Sequence, residues 1–84
     1  MNGMSKEDCT ELSQLVGAVK RARSTIKSSS SQIFRISSHY AGTATEQLNA
    51  AGIKCLFQAE YWLNQAIDVL GLSLEKSRKS LEVK

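Results

Sequence analysis

Along the first half of the chain, apolar residues recur every seven positions: Leu12, Val19, Ile26, Ile33 and Tyr40. Leu15, Ala22, Ser29 and Ile36 follow the first four of these by three residues. Two such lines are the a and d positions of a packed α-helix. The pattern predicts a helix over about residues 5–41. Ser5 is placed to cap it, and Glu7, Asp8 and Glu11 lie near its positive dipole end. The serine run at 27–32 has the composition of a linker, yet Ile26 and Ile33 keep the heptad phase across it and it holds no Gly or Pro. It is therefore expected to be helical, at a cost of a few tenths of a kcal/mol per residue.

The break comes at "SSHYAGTATEQL", residues 37–48. Gly42 can adopt the left-handed conformation that ends a helix. Thr43 follows as an N-cap, with Glu46 three residues on in capping-box spacing. A second helix is expected over about residues 44–83. Its main stripe is Leu48, Gly52, Leu56, Ala59, Leu63, Ala66, Leu70 and Leu74. Cys55, Trp62 and Val69 form a second line, with Phe57 and Ile67 widening the apolar area. Lys76, Arg78, Lys79 and Lys84 crowd the C-terminal end, beside the acidic start of the first helix in a hairpin.

So short a connection favours antiparallel neighbours. The expected fold is an all-α, antiparallel two-helix hairpin: one domain over 1–84, with the turn at about 42–43. Folding about Gly42 pairs residues whose numbers sum to about 85, so that Val19 meets Ala66, Ile26 meets Ala59, Ile33 meets Gly52 and Ala22 meets Leu63, large against small. Cys9 and Cys55 then lie about 20 residues, or about 30 Å, apart, far beyond the ~6 Å that a disulfide spans. Cys55 is expected in the core and Cys9 near the start of the helix.

Composition narrows the function classes. At 84 residues and 42% hydrophobic, the chain is too apolar to be disordered and too short to bury a robust core alone, so a partner is expected. The beginning carries no apolar stretch of signal-peptide type, and "YWLNQAIDVLGLSL" is interrupted by Asn64 and Asp68 and too short to span a bilayer. A cytoplasmic location is the expectation. Two cysteines and one histidine lack ligand spacing, so no metal or cofactor is expected. His39 beside Ser37 and Ser38 is no nucleophile–base pair, because neighbours on a helix point to different faces. The five glycines are scattered and build no phosphate loop. The sequence offers no enzyme and no small-molecule substrate. A net charge of +3 and the cluster Lys20, Arg21, Arg23 and Lys27 leave a nucleic-acid-binding helical module as one alternative, and a structural, self-associating helical protein as another.

Tyr40-x-Gly42-x-Ala44, at the turn between two long helices in so small a chain, resembles the Trp-x-Gly (WXG) superfamily of small type VII secretion proteins. In that family an aromatic-x-Gly motif marks the turn of a helical hairpin, often followed by a small residue and an apolar one, here Ala44 and Leu48. Two departures matter. The aromatic is Tyr rather than Trp, and Trp62 lies outside the motif. Tyr61 is followed four residues later by Gln65, where exporting members carry an acid. The resemblance therefore implies an accessory hairpin without an export signal of its own. Such a chain would act as adaptor or chaperone, pairing with another helical protein such as the N-terminal helices of a larger secreted effector. The partner would complete a four-helix bundle, and export would be as its companion. Phe34, Phe57, Trp62 and Val69 are the expected interface anchors.

Overall fold

The computed structural model describes residues 3–82. Helix α1 runs Lys6–Ser37, a 3₁₀ turn covers Ser38–Tyr40, and helix α2 runs Ala44–Glu82. The two α-helices lie antiparallel as a hairpin. The rod measures 63 × 15 × 12 Å, and its radius of gyration is 18.6 Å, where a compact domain of this length would have about 12 Å.

Ser5 caps α1, its hydroxyl accepting from the Asp8 amide at 3.1 Å. The helix runs unbroken through the serine run. Ser30 and Ser31 donate their hydroxyls to the carbonyls of Ile26 and Lys27, one turn back. Regular α-helix ends at Ser37, four residues earlier than the heptad pattern suggests, and tightens to 3₁₀. Tyr40 therefore leaves the phase of Ile33 and is half exposed. Beyond it the carbonyl of Tyr40 accepts from the Thr43 amide, and Gly42 sits at φ 81°. Thr43 Oγ1 accepts from the Glu46 amide, while the Glu46 carboxylate takes the Gly42 amide at 3.1 Å. The capping box is thus shifted by one residue, because the Thr43 amide is already committed to Tyr40. Val83 and Lys84, part of the expected helix end and basic tail, lie outside the described residues.

The seam between the helices differs from expectation by one residue on α1. Leu12, Val19, Ile26 and Ile33 do face inward. Their companions are not Leu15, Ala22, Ser29 and Ile36, all of which are exposed. They are Val16, Arg23, Ser30 and Ser37, four residues on from the first line and not three, with Cys9 one heptad before Val16. Ser30 and Ser37 can be buried because each hydroxyl is satisfied by its own helix, at Ile26 and Ile33. Arg23 carries its charge out of the seam by donating to Asn64 Oδ1 at 2.8 Å.

On α2 the inward residues include Ile53, Leu56, Ala59, Leu63, Ala66, Ile67, Leu70 and Leu74, with Ser77 near the open end. Leu48 and Gly52 are exposed and do not belong to the stripe; Ile53 takes the place expected of Gly52. Cys9, Val16, Ile67 and Leu74 form the buried cluster, with Leu12, Val19 and Leu70 packed on it. The cysteines exchange their expected places: Cys9 is buried and Cys55 exposed, and both are free thiols. At the open end the Met4 amide donates to Ser77 Oγ. The expected attraction between acidic start and basic tail makes no ion pair among the described residues; the pair present, Lys79–Glu75 at 3.4 Å, lies within α2 and is exposed. Among the described residues no helix is long and apolar enough to cross a membrane.

Candidate helix-docking surfaces

The hairpin closes only one side of each helix. Five apolar residues are buried, and among the described residues no side chain is completely so. Meanwhile Phe34, Leu48, Trp62, Val69 and Leu72 are each 60% exposed or more. The accessible surface of 6464 Å² exceeds the roughly 4,900 Å² of a compact monomer of 9.2 kDa.

Helix register sorts the exposed residues into two flanks. Phe34 of α1 and Phe57 and Tyr61 of α2 line one groove of about 820 Å³, floored by Ser30 and Ile53 and edged by Lys27. Phe34 and Ile53 also line a second hollow toward the turn, and Lys6, Thr10, Arg78 and Glu82 a third at the open end. All three lie on the same flank. On the opposite flank the heptad line Leu48, Cys55, Trp62 and Val69 of α2 runs beside Leu15, Ala22 and Ile36 of α1. Tyr61 and Trp62 meet edge to face, ring centroids 5.3 Å apart, over the outer surface of α2.

The four expected anchors are all exposed but do not share a face. Phe34 and Phe57 line the groove, whereas Trp62 and Val69 belong to the opposite flank. The sequence pattern does not mark Leu15, Ile36, Leu48 and Tyr61 as outward residues. One signal was present: Leu48 stands seven residues before Cys55, on the line of Trp62 and Val69. Of the turn residues, Gly42 supplies the positive φ, Tyr40 a carbonyl and Ala44 the first residue of α2. A Cβ on Gly42 would meet nothing within 4 Å, so the requirement there is conformational and not steric.

Of the basic cluster, Arg23 is turned onto Asn64, leaving Lys20, Arg21 and Lys27 exposed on more than one face. His39 is exposed in the 3₁₀ turn. Among the described residues no group of three His, Cys, Asp or Glu is placed to hold a metal ion. Comparison with models of known families, with curated proteins and with solved structures finds no match to this chain.

Proposed function

We propose that this hairpin works by binding, as an adaptor that offers its uncovered apolar flank to the helices of another protein. The observation that carries the reading is the exposure of Trp62, Val69 and Leu48, at 68%, 61% and 74%, on one line of a helix whose other side is already packed. Apolar residues aligned at heptad spacing are the seam of a helix–helix contact. Between Leu15 and Ile36 on α1, and Leu48 and Val69 on α2, that flank carries no charged residue on its facing lines. Fully desolvating such a seam costs little, which suits a lasting partner. The turn motif Tyr40-x-Gly42-x-Ala44 gives the reading its setting: a WXG-like accessory hairpin of type VII secretion that pairs with the N-terminal helices of a larger effector. Arg23 is withdrawn from the basic cluster, which weighs against the nucleic-acid alternative.

The test is capture from the native host with the purified chain and its Trp62→Ala variant. Recovery of a large protein with a helical N-terminus by the parent chain, lost with the variant, supports the reading. Recovery of nucleic acid that is lost as salt is raised would replace it with the alternative.

A further inference from the structure

Two lines of α1 could stand beside Leu12, Val19, Ile26 and Ile33 in the seam, and the hairpin uses the less apolar one. Val16, Arg23, Ser30 and Ser37 face inward, while Leu15, Ala22, Ser29 and Ile36, each one residue earlier, stay exposed. Pair by pair, Leu15 against Val16, Ala22 against Arg23, Ser29 against Ser30 and Ile36 against Ser37, the exposed residue is never the more polar. Leu15 and Ile36 are 55% and 45% exposed, whereas Ser30 and Ser37 are 4% and 6%. One pair opposes an exchange: Asp8 would come to the seam in place of Cys9 at the open end. Successive residues stand about 100° apart on a helix, so replacing one line by the other takes a rotation of about 50°.

Little ties α1 to one of the two positions. The hydroxyls of Ser30 and Ser37 donate to carbonyls of α1 itself and turn with it. Among the described residues no ion pair joins the helices and no side chain is completely buried. Two hydrogen bonds cross to α2: Arg23 Nη1 to Asn64 Oδ1 at 2.8 Å and the Met4 amide to Ser77 Oγ at 3.2 Å. The second lies before the first turn of α1. As for the first, the rotation carries the Arg23 Cβ only about 3 Å, toward the groove that Asn64 lines, and its long stem can follow.

We infer that α1 is a two-position helix, turning about its own axis between the seam seen here and one built on Leu15, Ala22, Ser29 and Ile36. In the first position Leu15 and Ile36 stand on the flank of Trp62 and complete it from the α1 side. In the second they are withdrawn into the seam, Cys9 and Val16 move to the edge of the groove, and Glu11, Ala18, Thr25 and Gln32 come up beside the Trp62 line. A helix docked on that flank holds the first position, because only there does it meet Leu15 and Ile36. The effect on docking rests on the proposed reading of the Trp62 flank; the two positions themselves do not.

The experiment is thiol alkylation of the full, folded chain in dilute solution, each rate taken relative to the same chain unfolded in urea. Two single-thiol chains report opposite sides of α1. One keeps Cys9 and carries Cys55→Ser; the other carries Leu15→Cys with Cys9→Ala and Cys55→Ser. Each is compared with and without Val16→Glu, which sets a carboxylate in the seam seen here but at the edge of the groove after the turn. Cys9 should then react about tenfold or more faster, and the thiol of Leu15→Cys about tenfold or more slower, with helical content by circular dichroism unchanged. Loosening of the hairpin would speed both, so the opposed pair of changes is the signature. Asp8→Leu removes the residue that opposes the second position and buries no charge. It should slow Leu15→Cys in the same sense, and it decides alone if Val16→Glu does not stay helical. Rates that rise together or stay unchanged in a helical Val16→Glu chain, or no slowing of Leu15→Cys by Asp8→Leu, would overturn the inference. No partner is present, so either result leaves capture by the Trp62 flank to the host experiment.

Discussion

At the scale of single residues, the most consequential are serines. Ser30 is 4% exposed and Ser77 4%, in a hairpin that leaves Trp62 in solvent. Their small volume lets the helices approach, and the hydroxyl of Ser30 costs nothing because Ile26 accepts it. Ser30→Leu should therefore destabilise by about 1–3 kcal/mol, as overpacking does, whereas Ser29→Leu, one residue round the helix, should stay within about 0.5 kcal/mol. Urea unfolding at fixed protein concentration separates the two; equal effects would mean that the seam follows the other phase. This is also where the sequence misled. The line Leu12, Val19, Ile26 and Ile33 was legible because all its members are apolar. Its companion line was not, because Arg23, Ser30 and Ser37 look like surface residues while Leu15 and Ile36 look like core. Ser30 and Ser37 tolerate burial because their hydroxyls bond their own helix, and Arg23 because it bonds Asn64, none of which an apolar–polar pattern shows.

At the scale of elements, both helices and the turn were legible, since capping and glycine signals act over three or four residues. Gly42 holds φ 81°, so Gly42→Val should cost about 1 kcal/mol or more, read as a lowered unfolding midpoint. Gly52 lies mid-helix with nothing within 4 Å of a Cβ, and Gly52→Ala should stabilise the isolated chain by about 0.5–1 kcal/mol. The opposite signs distinguish a glycine required by the backbone from one that is not. The serine run combines unbroken helix with poor helix formers, so its amides at 27–32 should exchange faster than those of Val16–Lys20. Protection equal to the flanks would show that packing outweighs propensity there.

At the scale of the whole molecule, two helices of this length leave apolar residues uncovered on both flanks of their seam. The two flanks were not legible as separate surfaces, because Phe34, Phe57, Trp62 and Val69 seem one set until the seam's phase is known. With it known, Trp62→Ala should leave helical content nearly intact, the ring being 68% exposed, and weaken binding of any helical partner seated on that flank by about 2–3 kcal/mol. The most direct measurement of the central claim is urea unfolding of the isolated chain at two concentrations a hundredfold apart. An incomplete bundle that completes itself by association should unfold at a clearly higher urea concentration in the stronger solution. The gain for a two-chain assembly is about 2.7 kcal/mol per hundredfold. A midpoint that is high and indifferent to concentration would contradict the account, because it would mean that the single hairpin is already stable with its apolar flanks in water.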